Sequence, residues 1–400
     1  RKLIMKNRIM IISKNLTGGG AERVATNLAG CLSKFAEVLF VVLSGQNNTY
    51  GTTAKTIDLN LPENKGKFKV LWHYNAYKKV KKIKKDFKPT HCISFMAEPD
   101  LANVLSKGNE KIIISVRNKR SSSNPTKFHL WKNKWVFSKA DAIVSLSQMV
   151  KKDLVEFFDI SEDIITPIYN PCYTEIIQKK CREDVFSIEE KNFFEKNKEK
   201  IVITAGRLNI QKGQWHLIRA FKKVVDEISD AKLVILGQGE EKDYLKNLIR
   251  DLNLENNVFI YGFKANPYPY LNRASVFAFP SVFEGLGNIL IECMACQLPV
   301  VSADCPYGPK ELLSPEEDFD SFVSDIDYAQ YGVLVPPMDG KKYSSMDPLK
   351  FSEECMANAI IEMLNNQKLR EDYKERITNR GKDFSPDKIT EQWLNVIKKL

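Results

Sequence analysis

Short runs of β-branched and aromatic residues alternate along this chain with longer segments whose apolar residues recur every three or four positions. The first pattern predicts buried strands and the second predicts helices laid over them, as in a parallel α/β sheet. In the first half, strands are predicted at Ile9–Ser13, Val38–Leu43, His91–Phe95, Lys111–Val116 and Ala142–Ser145. The second half repeats the pattern at Ile201–Ala205, Lys232–Leu236, Val258–Tyr261, Val276–Ala278 and Pro299–Ser302. Each set has its own glycine loop after the first strand and its own helices, so two Rossmann-like domains in tandem are expected. The two halves share no sequence repeat. Between Asn170-Pro171 and Ile201 the chain turns polar and charged, with Phe193-Phe194 the main apolar exception. That divides it into a first domain over residues 1–175, a linker over 176–199 and a second domain over 200–383.

Two segments offer chemistry at strand ends. Ser281-Val282-Phe283-Glu284-Gly285-Leu286-Gly287-Asn288 follows a predicted strand and turns into an apolar helical pattern. The free N–H groups of a helix start suit an anion. Glu284 precedes the turn, and Glu292 lies about two turns into the helix, at ~3.6 residues per turn. A phosphate on the amides, with the carboxylates on sugar hydroxyls, would hold a sugar nucleotide. The alternative makes Glu284 a helix cap and Glu292 part of a solvated face. Arg207 and Lys212, on the glycine-flanked loop Gly206–Gly213, can converge on one diphosphate through charge-assisted bonds. They would also stabilise the charge on a departing nucleotide. Gly18-Gly19-Gly20-Ala21-Glu22-Arg23 opens the first helix, where glycines allow close backbone approach to a ligand. Arg23 stands where a dinucleotide fingerprint needs its third glycine, so that motif is absent.

Bulk properties narrow the partners. Four hundred residues, 43% hydrophobic and 28% charged, suit two soluble globular domains. No run of about 18 apolar residues marks a membrane span. The basic start, Arg1 to Arg8, precedes too short an apolar run for a signal peptide, and Met5 is read as the native start. The net charge of +10 asks for an anionic partner. The most lysine-rich segment, 77–88, places Tyr77, Val80, Ile83, Lys84 and Phe87 at helical spacing. It is read as a peripheral contact with anionic membrane or as an ordinary solvated helix. Nucleic acid is not expected, for no stacking platform or recognition motif occurs. Eight cysteines without a framework fit a reducing cytoplasm. Cys293 and Cys296 form a CxxC inside a helix pattern, read as core thiols rather than as a zinc or redox pair. No metal site is expected: the four histidines lack ligand spacing.

Phe283-Glu284-Gly285-Leu286-Gly287, then Glu292 with Met294-Ala295, then Leu298-Pro299-Val300-Val301, resembles the donor-site signature of retaining glycosyltransferases of family 4. The resemblance implies the GT-B fold, two Rossmann-like domains whose parallel sheets face a central cleft, with residues 384–400 crossing back to the first domain. It implies that Glu284 contacts the donor sugar and Glu292 the ribose. Arg207 and Lys212 are assigned the leaving diphosphate together with the backbone of Gly285, Leu286, Gly287 and Asn288, and Phe263 lies beside the nucleobase. Gly19 and Gly20, in a loop resembling the family's Gly-Gly-x-Glu-Arg, fall near the donor phosphates and acceptor. Gly308-Pro309-Lys310-Glu311 resembles the branch that builds bacterial surface polysaccharides and lipid-linked oligosaccharides, often from UDP-sugars. One position departs from the family: Arg117 and Asn118 stand where many members have a histidine, and Arg117 is expected to hold an acceptor phosphate or the donor sugar.

The expected activity is retaining transfer of a hexosyl or N-acetylhexosaminyl group from a nucleotide-sugar, UDP-linked, to a saccharide hydroxyl. Glu284, Arg207 and Lys212 form the catalytic group, and no metal or cofactor takes part. The acceptor is a saccharide or a polyprenyl-diphosphate-linked glycan, met in the cytoplasm or at the inner face of the plasma membrane. Rival readings are a sugar-nucleotide epimerase of the same fold and a basic, non-catalytic adaptor for membrane or nucleic acid.

Overall fold

The computed structural model describes residues 7–16, 20–45, 51–62, 69–121 and 126–400. Gly18, Gly19 and the start at Met5 lie outside these. The chain forms two compact units, one of residues 1–171 with 386–400 and one of residues 172–385.

The first unit contains a sheet of β1 (Arg8–Ser13), β2 (Glu37–Val42), β3 (Lys55–Asp58), β4 (His91–Phe95), β5 (Lys111–Val116), β6 (Ala142–Ser145) and β7 (Ile165–Pro167). The spatial order is β3-β2-β1-β4-β5-β6-β7, with every neighbouring pair parallel. Strands such as Ile9-Met10-Ile11-Ile12 are buried throughout, which is why they read as unbroken apolar runs rather than alternating ones. One face meets Val24, Leu28 and Leu32 of the Gly20–Leu32 helix, together with Ile389, Trp393 and Ile397 of the Pro386–Lys399 helix. The end of the chain thus completes the core of its beginning. Trp393 is 1% exposed, its ring centroid 6.2 Å from that of Phe95.

The basic helix spans Lys69–Phe87. Lys84 is buried in it, paired with Glu110 at 2.7 Å and donating to Asn103 O and Oδ1 at 2.8 Å each. Its place in the apolar stripe is therefore an inward one. Lys78, Lys81, Lys82 and Lys85 are exposed. Among the described residues, no helix is long and apolar enough to cross a membrane.

The second unit contains β8 (Ile201–Ala205), β9 (Lys232–Leu236), β10 (Val258–Gly262), β11 (Val276–Phe279), β12 (Val300–Ala303), β13 (Asp327–Ala329) and β14 (Gly332–Val335). Their order is β10-β9-β8-β11-β12-β14-β13, parallel except for β13 against β14. The segment read as a linker differs from that expectation, for it holds the helices Thr174–Cys181 and Ile188–Lys196. Ser187 and Glu190 form a reciprocal capping box at the second start. Phe194 is buried against Phe186, Tyr261 and Tyr270, and Glu190 pairs with Lys264 at 2.7 Å. The apolar pair Phe193-Phe194 anchors this charged stretch to the second unit.

In each sheet the strand order reverses beside the first strand: β1 lies between β2 and β4, and β8 between β9 and β11. Ligands of open α/β sheets bind outside the carboxyl ends of the strands at such switch points.

Candidate functional site

The loops carrying Arg207, Lys212 and Glu284 leave the carboxyl ends of β8 and β11, the two strands at the second unit's switch point. Direct pairing of Val202 with Val276 and of Ile203 with Phe277 brings those ends together. Lys212 Nζ meets Glu284 Oε1 at 2.5 Å, across 72 residues of sequence, and Gln211 Nε2 donates to the other oxygen at 3.3 Å. The Glu284 side chain is 7% exposed and that of Lys212 20%. The sequence foresaw separate roles for this pair but not the pairing itself, and it did not single out Gln211. A polar residue beside Lys212 in a ligand loop was the available signal.

Each loop is fixed by its own backbone. Asn209 accepts the Lys212 N–H at 3.2 Å, capping a single 3₁₀ turn at Ile210–Lys212. Gln214 Nε2 holds Arg207 O at 3.0 Å. The Val282 N–H reaches Gln211 O at 2.9 Å, tying the two loops directly. A third segment packs beneath: the Glu284 N–H bonds to Pro306 O at 3.1 Å. Gly308 has φ +113°, and a Cβ there would stand 2.2 Å from Leu286 O. Only glycine permits that approach. Residues 305–308, absent from the predicted ligand set, therefore form the floor beneath the Glu284–Leu286 loop.

Gly287, at φ +79°, precedes the Asn288–Ala295 helix. Leu286 is 2% exposed, its side chain turned into the core, so only its backbone can face a ligand. Asn288 is exposed, and Glu292 is half-buried one turn along the same helix. Arg207 is exposed and has no ion pair among the described residues. Phe263 follows β10, at the far edge of the sheet, and is 67% exposed. The structure thus brings Lys212, Gln211 and Glu284 into contact, sets Arg207 and the Gly285–Asn288 turn on the adjoining strand ends, and leaves Phe263 on an outer strand.

In the first unit, Gly20 is exposed at the start of its helix, and Gly19 lies outside the described residues. Arg117 is engaged by its own neighbours. Its guanidinium donates to Ile168 O at 3.2 Å and to Asn170 Oδ1 within its own unit. Burial pushes it down to about 9. It braces the end of β5, and its neighbour Asn118 is the exposed one. The loop is pinned again at Asp153, which accepts the Arg120 N–H at 2.9 Å and the Ser121 N–H at 3.3 Å. Asp100 is 2% exposed beside Arg120 at 3.4 Å, and burial pushes its carboxyl up to about 7.

Comparison with known proteins agrees with both units. A family model described as glycosyltransferase family 4 matches residues 18–175, and one for glycosyl transferases group 1 matches residues 186–330. The uncharacterised glycosyltransferase MJ1059 of Methanocaldococcus jannaschii is 34% identical over 354 residues, 83% of this chain and 86% of that protein. The N-acetylgalactosamine-N,N'-diacetylbacillosaminyl-diphospho-undecaprenol 4-alpha-N-acetylgalactosaminyltransferase of Campylobacter jejuni is 30% identical over 400 residues, 98% of this chain and 99% of that protein. Among solved structures, Anabaena HepE with UDP aligns at a TM-score of 0.75 and 16% identity, covering 98% of this chain and all of that one. TarM aligns with the same score and identity, over 99% of each chain. The chain belongs to the family 4 glycosyltransferases and has their GT-B fold of two Rossmann-like, parallel-sheet domains.

Proposed function

We propose that the chain transfers a hexosyl or N-acetylhexosaminyl group, with retention, from a UDP-linked donor to a hydroxyl of a lipid-linked glycan. The observation that carries the reading is the Lys212–Glu284 pair at the β8/β11 switch point, with exposed Arg207 on the loop that follows β8. The diphosphate takes Arg207, Lys212 and the N–H groups of the Gly285–Asn288 turn. Glu284 accepts from sugar hydroxyls, Glu292 from the ribose, and Phe263 stacks on the base. The cations stabilise negative charge as the glycosyl bond breaks, and need no metal to do so.

Glu284 is a poor covalent nucleophile here, because Lys212 and Gln211 occupy both of its oxygens. Same-face attack follows, the acceptor hydroxyl giving its proton to the departing phosphate. The α linkage in the name of the Campylobacter relative supports retention, and its undecaprenol-diphosphate acceptor supports the lipid-linked class. The UDP in the HepE complex supports the nucleotide. Exposed Lys78, Lys81, Lys82 and Lys85 give the first domain a basic stripe for an anionic membrane, each adding about 1 kcal/mol near the surface. Arg117 contributes as a brace of the acceptor loop rather than as a ligand.

The test is a thermal-shift screen against UDP, GDP, ADP and their common sugars, on the native chain and Glu292→Ala. Binding to the native state raises the melting temperature by mass action. A UDP-specific rise that the substitution removes supports the reading; no rise with any nucleotide at millimolar concentration sinks it.

A further inference from the structure

Four of the eight cysteines gather on one side of the second unit. Cys181 ends the Thr174–Cys181 helix, and its sulfur lies 3.7 Å from that of Cys296, which caps the Asn288–Ala295 helix. Cys172 Sγ lies 3.6 Å from Ile291 O on that second helix. The CxxC spacing thus sends its two thiols to different neighbours, Cys296 to Cys181 and Cys293 to the buried side toward Cys172. Zinc does not fit: among the described residues no three Cys, His, Asp or Glu side chains are grouped to hold a metal.

Cys181 and Cys296 differ from the remaining buried thiols in that their sulfurs touch, 3.7 Å apart. Cys296 also lines a cavity of about 570 Å³ with Gln297, Phe194, Lys198, Arg273 and Arg370. That cavity adjoins Leu298-Pro299, which leads into β12, and so lies at the opposite strand ends from Arg207 and Glu284. We propose that Cys181 and Cys296 are a modification site, a dithiol that small peroxides convert reversibly into an intramolecular disulfide. The hydrogen bond from Cys296 lowers the Cys181 thiol against the opposing effect of burial, and Arg182 adds to the lowering. Cys181, which ends its helix next to Arg182, takes the first attack.

The chemistry balances with hydrogen peroxide alone. The Cys181 thiolate attacks one peroxide oxygen and the O–O bond breaks. Cys181 becomes a sulfenic acid, and the departing hydroxide takes a proton to leave as water. The Cys296 thiol then attacks the sulfenic sulfur; the S–S bond forms, the S–O bond breaks, and the departing hydroxide takes the thiol's proton to leave as a second water. Two thiols are oxidised and one peroxide is reduced to two waters. The sulfurs must close from 3.7 Å to about 2 Å. Side-chain rotation at a helix end and at a cap can supply that movement. The bond would join points 115 residues apart and tie the Thr174–Cys181 helix to the helix bearing Asn288 and Glu292.

The experiment treats the reduced full-length chain with dilute hydrogen peroxide, blocks remaining thiols with maleimide, and maps the unreduced digest by mass spectrometry. The expected result is a monomer that has lost two thiols, with a Cys181–Cys296 linked peptide that a thiol reductant reverses. Cys181→Ser and Cys296→Ser each abolish the link, and Cys355→Ser leaves it intact. The proposal is overturned if no thiol is lost before the chain unfolds. It is also overturned if the link joins Cys172 to Cys293, or if Cys296 goes to sulfinic acid without a link to Cys181. None of these outcomes depends on the donor assigned above.

Discussion

Glu353→Ala is expected to be among the costliest single changes in the second unit. Glu353 is 0% exposed in the first turn of the Phe351–Asn365 helix. It accepts from His216 Nδ1 at 2.7 Å, from Arg219 Nε at 3.0 Å and from the Lys350 N–H at 3.0 Å. Arg219, itself 1% exposed, spends its other nitrogens on the carbonyls of Ser344, Asp347 and Pro348. Truncating Glu353 leaves that guanidinium buried without its counter-charge. Breaking a buried pair from one side costs about 3–5 kcal/mol. For a domain of this size that lowers the melting temperature by roughly 6–20 °C. Burial pushes the Glu353 carboxyl up, but hydrogen bonds from His216 and Arg219 outweigh it and hold it below the usual carboxylate range. Its contribution is therefore present above the unfolded value of about 4.3 and lost as pH falls through the lower folded value. Urea unfolding, followed by fluorescence at neutral and acid pH, measures both effects. Trp215, which donates to Lys341 O at 2.9 Å, reports locally. A cost below about 1 kcal/mol at neutral pH, or one that does not shrink in acid, would refute the reasoning.

Gly308→Ala should destabilise by about 1–3 kcal/mol and weaken the UDP thermal shift, because its Cβ would displace Leu286 O. Gly262→Ala, with φ +75° but open space around it, should cost about 1–2 kcal/mol in urea unfolding. Lys84→Met should cost about 3–5 kcal/mol in urea unfolding by stranding buried Glu110, whereas exposed Lys82→Met should stay within about 0.5 kcal/mol. Asp100→Asn should flatten the pH dependence of stability between about 4 and 7. The buried acid, raised to about 7, stabilises most below its unfolded value of about 3.9 and loses that contribution as pH rises through 7. Parallel pH series of denaturant midpoints for both proteins measure this.

The strands written as unbroken β-branched runs were legible, several to the residue, because burial on both faces leaves no polar position to blur them. Those missed are short or lie at edges. Lys55–Asp58 is mostly exposed, and Ile165–Pro167 and Asp327–Ala329 have three residues each, too few to carry a period. Gly332–Val335 is buried but only four residues long. The charged stretch 176–199 read as linker because composition outweighed its three phenylalanines, although the capping box at Ser187 and Glu190 was written there. At the site, the loop positions were readable and the contacts were not. Nothing in spacing alone tells that Glu284 meets Lys212, since that depends on β8 and β11 being neighbours. Nor does it tell that Arg117 turns inward, which depends on Ile168 and Asn170 from the end of a strand too short to see.

The central claim is that the β8/β11 rim binds a uridine diphosphate through exposed Arg207, and isothermal titration of UDP into the native chain and Arg207→Ala tests it most directly. Arg207 is exposed, so the substitution leaves the fold intact. Losing a charge-assisted contact should weaken UDP about ten- to hundredfold, with the melting temperature of the free protein unchanged. Equal UDP affinity in the two proteins, or no binding to the native chain at millimolar UDP, would contradict the account.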